Sequence, residues 1–213
     1  MTPMNDLVLL QLPWHAGQVA PTALAAAFAS ALASPAAAPL LRGMRRLACS
    51  GQASVAYAYL EPAPAVAVDA ALVSAVEDLF SGAGPWATGL RASRLEQVFD
   101  TPGASAGARA RFHYAVEMDP EMDPDGGWMP EIARWYDTEH MPGLAGVPGC
   151  IRASRFLNHG HGPLSLACYD LESEGTLGSP PWLAVRATAW SDITRPHFTN
   201  TRRTMFTVAR TPG

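Results

Sequence analysis

The spacing of apolar residues divides this chain into two series of elements with the same order. Short apolar or alternating runs predict strands, whereas apolar residues three or four positions apart predict helices. In the first half, strands are predicted at 7–12, 45–49, 54–60 and 90–99, and helices at 23–34 and 69–80. In the second half, strands are predicted at 111–118, 151–156, 165–171 and 201–209, and helices at 129–140 and from Pro180 onwards. Each half therefore has the order strand, helix, strand, strand, helix, strand.

The predicted helices have recognisable ends. Thr22 and Asp69 are suited to accept hydrogen bonds from the free N–H groups of a first helical turn, and Gly82 is suited to end the second helix. Ser179 is predicted to cap a helix that has Pro180 at its first position, where the missing N–H costs nothing.

The two halves also match at single positions. Gly43-Met-Arg-Arg46 corresponds to Gly149-Cys-Ile-Arg152, and Tyr59-Leu-Glu61 corresponds to Asp170-Leu-Glu172. Between the halves, 100–108 consists of small, turn-forming residues, which is typical of a linker. We therefore predict a tandem of two domains, at 1–103 and 108–213.

Two βαββαβ units predict an α+β protein. In each unit, an antiparallel sheet would carry both helices on one face, which is the ferredoxin-like arrangement. The other face of each sheet would be left bare, and a large exposed apolar face is unusual in a soluble protein. We expect the antiparallel sheets of the two repeats to pack through these faces into an α/β-barrel.

Composition excludes several functions. All fifteen basic residues are Arg, as in proteins from GC-rich genomes, and the formal net charge is −4. Because the arginines are scattered, no broad basic face and no nucleic-acid partner are expected. Residues 7–41 carry no Asp, Glu, Lys or Arg, but four prolines and many small residues argue against a membrane span. Cys49, Cys150 and Cys168 lack metal-ligand spacing and are expected to be reduced, mostly buried thiols of a cytoplasmic protein.

The densest group of chemically useful residues lies within 128–149. Trp135, Tyr136, Glu139 and His140 occupy neighbouring stripes of the predicted helix. Because a proline follows two residues later, the helix is expected to end at His140, where the helix dipole and Glu139 would favour the protonated imidazole. We predict His140 as a general acid/base, Glu139 as its orienting partner, and Trp135 and Tyr136 as ligand-binding residues. The alternative is that His140 satisfies carbonyl groups at the helix end and Glu139 is solvated.

The other histidines give weaker signals. Alternation along 112–118 places His113 on the opposite face from Tyr114, where it is either a ligand-binding residue of a cavity or a hydrogen-bonded core residue. His159 and His161 form a His-Gly-His pair, but zinc normally needs three or four protein ligands, so no metal site is predicted. The sequence contains no phosphate-binding glycine loop and no Gly-x-Ser-x-Gly elbow.

One set of motifs is shared with a known family: Trp135-Tyr-Asp-Thr-Glu-His-Met-Pro142, Val147-Pro-Gly149, Arg152, Arg155 and Ser179-Pro-Pro-Trp182. Together they resemble the EthD-like branch of the dimeric α/β-barrel superfamily over most of 110–210. The first half matches only in the order of its elements and lacks the Glu-His pair, so it would be a degenerate repeat. The resemblance implies a small enclosed cavity, chemistry without a cofactor, and small aromatic or apolar substrates. Family members pair two chains into a barrel, whereas this chain would supply both halves; a further homodimer stays open.

Three functions are compatible with these residues. The first is a cofactor-independent enzyme, a lyase, isomerase or monooxygenase-like catalyst, in which His140 acts as general acid/base on a small apolar carbonyl or aromatic compound. The second is a non-catalytic module that binds such a molecule. The third is a structural protein of the same fold that has lost its site. The surroundings of Glu139 and His140 distinguish these functions best.

Overall fold

A computed structural model describes residues 6–210 of the chain. The strands of this part are β1 (Leu7–Pro13), β2 (Leu41–Ser50), β3 (Val55–Pro62), β4 (Arg91–Pro102), β5 (Phe112–Pro120), β6 (Cys150–His159), β7 (Ser165–Leu171) and β8 (Phe198–Arg210). The α-helices of this part are α1 (Pro21–Leu32), α2 (Ala70–Ser81), α3 (Trp128–Trp135), α4 (Met141–Ala145), α5 (Pro180–Arg186) and α6 (Ala189–Thr194). A π-helical turn, Tyr136–His140, joins α3 to α4.

The strands are hydrogen-bonded in the order β1-β3-β2-β8-β5-β7-β6-β4, which closes into a barrel. Pairing is antiparallel between β1 and each of β3 and β4, between β2 and β3, and between β7 and each of β5 and β6. This confirms the predicted α+β class and its barrel of antiparallel strands. Contacts divide the described chain into an N-terminal unit (6–96, 158–161 and 206–210) and a C-terminal unit (97–157 and 162–205).

In the N-terminal unit, β1 lies between β3 and β4, and β2 lies on the far side of β3. The last residues of β8 pair with β2. The continuous apolar run of β1 is typical of a strand covered on both faces, and its first four residues are fully buried. Phe28 of α1 packs against Phe80 of α2 with ring centroids 5.1 Å apart. Burial of one such ring stabilises the fold by about 1.5–3 kcal/mol, so this contact holds the two helices together.

In the C-terminal unit, β7 lies between β5 and β6, and every residue of β7 is buried. Tyr169 of β7 meets the edge of the Trp182 ring from α5, with centroids 5.2 Å apart. Ile132 and Trp135 of α3 belong to the same apolar core. This core fixes the helices that carry the Glu-His pair and the Ser179-Pro-Pro-Trp182 motif against one face of the strands.

The helix ends agree with the sequence at some positions and not at others. Asp69 caps α2 as predicted, because its Oδ1 accepts a hydrogen bond from the Leu72 N–H at 2.9 Å. The prediction for Thr22 is wrong: α1 begins at Pro21, and Ala20 occupies the capping position. Ser179 stands at the N-cap of α5, but its hydroxyl makes no capping hydrogen bond within residues 6–210. The predicted linker starts too early as well, since β4 extends to residue 102.

The helix that carries the Glu-His pair does not end at His140, which corrects the prediction. The chain continues through the π turn into α4, and the Met141 N–H bonds to the Tyr136 carbonyl, five residues earlier. Pro142 has no N–H and cannot bond to the Thr138 carbonyl, as an α-helix would require. The wider π turn accommodates this missing bond, so the proline changes the hydrogen-bond pattern without ending the helix.

Cys49, Cys150 and Cys168 are buried, in agreement with the sequence-based expectation. Burial raises the pKa of the Cys49 and Cys150 thiols to about 12, so both remain protonated and unreactive at neutral pH. Among the helices of the described residues, none combines the length and apolar character needed to span a membrane.

Candidate functional site

The predicted residues Trp135, Tyr136 and His140 line one pocket of the C-terminal unit. The other lining residues come from the strands and from the helices after β7: Tyr114, Val116, Leu144, Tyr169, Trp182, Arg186, Arg195, Phe198 and Arg203. The cavity volume is about 30 Å³, which is room for about one water molecule. A larger ligand must therefore displace side chains to enter.

The π turn determines which ring His140 touches. A regular α-helix would place His140 beside Tyr136, four residues earlier. In the π turn, residues five apart align, and the imidazole stacks on the Trp135 indole with centroids 4.1 Å apart and planes 23° apart. Tyr136 meets the imidazole edge-on at 5.7 Å. The two aromatic rings thereby fix the orientation of His140.

Three polar atoms of the lining residues are buried without a hydrogen-bond partner in the part of the chain that the structure describes. They are His140 Nδ1, Trp135 Nε1 and Trp182 Nε1. His140 is 8% exposed, and the two tryptophans are 1% exposed. An unsatisfied buried polar atom costs about 1–3 kcal/mol, so such atoms are rare in native proteins unless water or a ligand satisfies them. Their concentration here identifies the pocket as the candidate ligand site.

His140 is neutral in this pocket. Burial, followed by the positive charges of Arg186 and Arg195, lowers its pKa from 6.5 to about 3. The predicted preference for a protonated imidazole is therefore wrong. The helix continues past His140, so no helix end stabilises the cation, and the charges that act on the ring are positive. Neutral imidazole has a nitrogen lone pair that can accept a proton.

Glu139 faces a different partner from the predicted one. Its Oε1 accepts a hydrogen bond from the Thr188 hydroxyl at 2.6 Å. The same hydroxyl oxygen caps α6 by accepting a hydrogen bond from the Ser191 N–H at 3.1 Å. Glu139 therefore anchors the helix to α6, and the imidazole of His140 is oriented by Trp135 and Tyr136 instead.

His113 does not line this pocket. It is fully buried, and its Nδ1 lies 2.8 Å from Oδ1 of Asp170. Strand alternation places it on the face of β5 opposite to Tyr114 and Val116, and those two residues line the pocket. The geometry favours the second sequence-based interpretation of His113, a hydrogen-bonded core histidine.

Tyr136 supplies a protonated phenol. Its ring is 2% exposed, and burial raises its pKa against the opposing charges of Arg155 and Arg203. The Arg155 guanidinium lies 5.3 Å from the centroid of this ring and 2.8 Å from Asp137 Oδ1. At neutral pH the Tyr136 hydroxyl therefore remains a hydrogen-bond donor.

Sequence reasoning missed three arginines of the pocket, Arg186, Arg195 and Arg203. None of them forms an ion pair with a carboxylate within residues 6–210. Arg195 donates a hydrogen bond to the Arg186 carbonyl at 2.9 Å. A signal was present in the sequence: residues 175–213 contain five arginines and a single acidic residue, Asp192.

His159 and His161 do not line the pocket. His159 pairs with Glu96 at 2.7 Å, and the backbone N–H of His161 donates to the Ser93 hydroxyl at 2.8 Å. In the described part of the chain, no three His, Cys, Asp or Glu side chains are grouped so that they could hold a metal ion.

Two larger depressions lack a histidine that could transfer a proton. One, of about 650 Å³, lies in the N-terminal unit, where Arg94 is neutralised by Asp6 and Arg42 by Glu61. The other, of about 600 Å³, lies in the C-terminal unit and is lined by Arg109, Arg111, Glu172 and small residues between 108 and 179. Neither contains a histidine, so neither competes with the His140 pocket as the site of proton transfer.

The fold and the pocket define a class, the α+β proteins with a closed antiparallel barrel, and solved structures of this class match nearly the whole chain. A candidate monooxygenase of Fusobacterium nucleatum subsp. nucleatum has a TM-score of 0.60 and 9% identity over 99% of this chain and 94% of its own. An anthrone oxidase-like protein has a TM-score of 0.60 and 11% identity over 97% of this chain and 92% of its own. A candidate chlorite dismutase has a TM-score of 0.57 and 12% identity over 95% of both chains.

These structures share the fold of the chain, and at such identities the likeness extends to the fold alone. No protein-family model matches the sequence, and no curated protein matches it either. A fold of this kind does not specify a function, which depends on the residues of the pocket.

Proposed function

We propose that this protein is an enzyme in which neutral His140 acts as a general base on a small aromatic or carbonyl compound, in a step that needs no cofactor. The observation that carries the proposal is the buried Nδ1 of His140, which has no partner among the described residues. A bound ligand would supply the missing hydrogen bond. The names of two structures of the same fold, a candidate monooxygenase and an anthrone oxidase-like protein, support an enzymatic function.

The proposed step is proton abstraction. The imidazole would take a proton from a carbon next to a carbonyl group, and the electron pair of the broken C–H bond would move to the carbonyl oxygen as an enolate. The protonated Tyr136 hydroxyl would donate a hydrogen bond to that oxygen. In a ketone with a β,γ carbon–carbon double bond the enolate is a conjugated dienolate, and return of the proton to its γ carbon completes an isomerisation. Trp135 keeps the imidazole in place throughout.

Two observations favour a second candidate function, binding without catalysis. The cavity of about 30 Å³ leaves little room for a substrate. A general base is most effective when its pKa lies near the operating pH, and the pKa of His140 in the empty pocket is about 3. In this case His140 would only exchange a hydrogen bond with the ligand.

We further propose that the two units are tandem copies of one ferredoxin-like repeat, related to the EthD-like branch. The register of β2 with β3 shifts between Met44 and Arg46, and the register of β6 with β7 shifts between Cys150 and Arg152. These irregularities occur at the positions where the two halves match in sequence. The strand orders β4-β1-β3-β2 and β8-β5-β7-β6 also correspond. The N-terminal unit would be the degenerate copy.

Hydrogen exchange at carbon tests the catalytic proposal before the natural substrate is identified. A panel of small aryl ketones is incubated in D₂O with the protein, and the loss of α-proton signal is followed by NMR. We expect the protein to accelerate exchange for at least one compound, and His140→Gln to slow it by about 10²- to 10⁴-fold. His159→Gln, which changes an exposed histidine outside the pocket, should match the unaltered protein. Exchange that persists in His140→Gln would contradict the proposal, and binding of a ketone without exchange would support the second candidate.

A further inference from the structure

We propose that the ligand of the His140 pocket is an organic anion, an aromatic or conjugated carboxylate, whose charge is recognised by Arg186, Arg195 and Arg203. This inference rests on the proposed function in that it assigns the substrate class of the same pocket. It is carried by two independent features, the hydrogen-bonding character of the lining and its unbalanced charge.

The lining offers more hydrogen-bond donors than acceptors. Indole N–H groups and guanidinium groups can only donate, and the pocket combines the unsatisfied N–H groups of Trp135 and Trp182 with the three arginines. A lining of this kind is satisfied by a ligand that is rich in acceptors. A carboxylate has two oxygens with about four acceptor sites, whereas a neutral amide would bring N–H donors for which only His140 and the tyrosine hydroxyls of the lining offer acceptors.

The positive charge of the three pocket arginines is also not balanced by a carboxylate of the described residues. Elsewhere in the described chain arginines have close carboxylates, such as Arg94 with Asp6 at 2.8 Å and Arg134 with Glu131 at 2.9 Å. Burial and the charges of Arg186 and Arg203 lower the pKa of Arg195, and Asp192 opposes them without forming an ion pair. A bound anion would remove this repulsion, and a guanidinium fork matches the geometry of a carboxylate.

The aromatic side chains of the lining favour an anion whose uncharged part is an aromatic ring. Tyr114, Tyr136, Phe198 and Trp182 present aromatic rings, and aromatic groups pack well against each other at centroid distances of 4.5–7 Å. Arg186 and Arg195 are half-buried and Arg203 is exposed, so these long side chains are the part of the lining that can swing outward. A flat aromatic carboxylate could then insert its ring between the walls and keep its charge at the arginines.

Matched small molecules separate charge from shape. Benzoate and benzamide have nearly the same size and differ in charge and in donors, and both are titrated into the protein by calorimetry and by tryptophan fluorescence. Inorganic phosphate is titrated alongside them, because guanidinium groups also bind phosphate. We expect benzoate to bind at least tenfold more tightly than both benzamide and phosphate. Equal affinity for benzamide, or tighter binding of phosphate, would overturn the proposal.

Variants assign the binding to the named arginines. Arg186→Met and Arg195→Met remove the charge while keeping an extended side chain, and each is expected to weaken benzoate by about 10- to 100-fold. Arg202→Met removes the same charge next to Arg203 from an exposed residue that does not line the pocket, and it should change the affinity less than twofold. The melting temperature of Arg186→Met should stay the same or rise, because one of three repelling charges is removed. In Arg195→Met, loss of the hydrogen bond to the Arg186 carbonyl offsets that gain. Equal effects of Arg202→Met and Arg186→Met would show nonspecific attraction and overturn the proposal.

The outcome is separable from that of the catalytic proposal. Arginine-dependent binding of benzoate, with no carbon-proton exchange even in aryl ketones that carry a carboxylate, such as 4-acetylbenzoate, would support the anion site and contradict His140 as a base. Exchange that depends on His140, combined with equal affinity for benzoate and benzamide, would support His140 as a base and contradict the anion site.

Discussion

The stability of this protein should depend on pH through His140. The unfolded chain binds a proton at histidine with an ordinary pKa of 6.5, whereas in the folded protein the pKa of His140 is about 3. The unfolded state therefore binds more protons than the folded state between these values. Because the folded pKa is the lower one, the stability is fully present above pH 6.5 and is lost as the pH falls towards 3.

The expected loss is large enough to measure. Each tenfold difference in proton affinity corresponds to about 1.4 kcal/mol, so the full loss below pH 3 is roughly 5 kcal/mol for a pKa lowered from 6.5 to about 3. At pH 5, part of this loss, roughly 2 kcal/mol, should already be present. The physical reason is that unfolding releases the imidazole from a buried site beside Arg186 and Arg195 into water, where it can take up a proton.

Chemical denaturation of the unaltered protein and of His140→Gln, at pH 8 and pH 5, provides the test. Other groups that titrate in this interval act in both proteins and cancel in the comparison. We expect the free energy of unfolding to fall by about 2 kcal/mol more in the unaltered protein than in His140→Gln. His159→Gln, at an exposed histidine outside the pocket, is the matched control. Parallel pH dependence of the unaltered protein and His140→Gln would refute the reasoning.

Two further predictions concern structural residues outside the pocket. Asp170→Asn removes the charge from the buried pair with His113 and should lower the free energy of unfolding by about 3 kcal/mol or more, as measured by urea denaturation. Its benzoate affinity should be unchanged, and a loss like that of the pocket arginines would place His113 in the site after all. Gly149→Ala should lower the free energy of unfolding more than Gly178→Ala in the same assay. Both glycines have a positive φ, +91° and +85°. A Cβ at residue 149 would collide with the Thr176 side chain, whereas a Cβ at residue 178 would meet open space. The strain alone is about 1–3 kcal/mol, and equal losses would contradict the collision.

Much of the candidate site was accessible from the sequence, because local spacing brings its helical residues together. Trp135, Tyr136 and His140 lie within six positions, so any helical turn places them near one another. The π turn was not predicted, although Pro142 gave the reason for it. The choice of Trp135 as the stacking partner of His140 followed from that turn, and so did the release of Glu139 towards Thr188.

The arginines show why the rest of the site could not be predicted. Arg186, Arg195 and Arg203 lie on three different elements, and their sequence distance from His140 exceeds forty residues. Only packing brings them to one pocket. Burial and the charges of Arg186 and Arg195 keep His140 neutral, whereas the residues next to it in the sequence had suggested a protonated imidazole. A pKa depends on the dielectric surroundings and on charges in space, and neither is encoded in a local motif.

The sequence by itself determined the order of the elements, the α+β class, the cap at Asp69 and the segment that carries the site. Each of these depends on interactions between residues a few positions apart, such as hydrogen bonds within a turn and the alternation of apolar side chains. The tertiary structure alone decided which face of β5 lines the pocket, which residues satisfy Glu139 and His113, and how much charge surrounds His140. These features depend on contacts between distant segments, where burial removes water and strengthens every charge that remains.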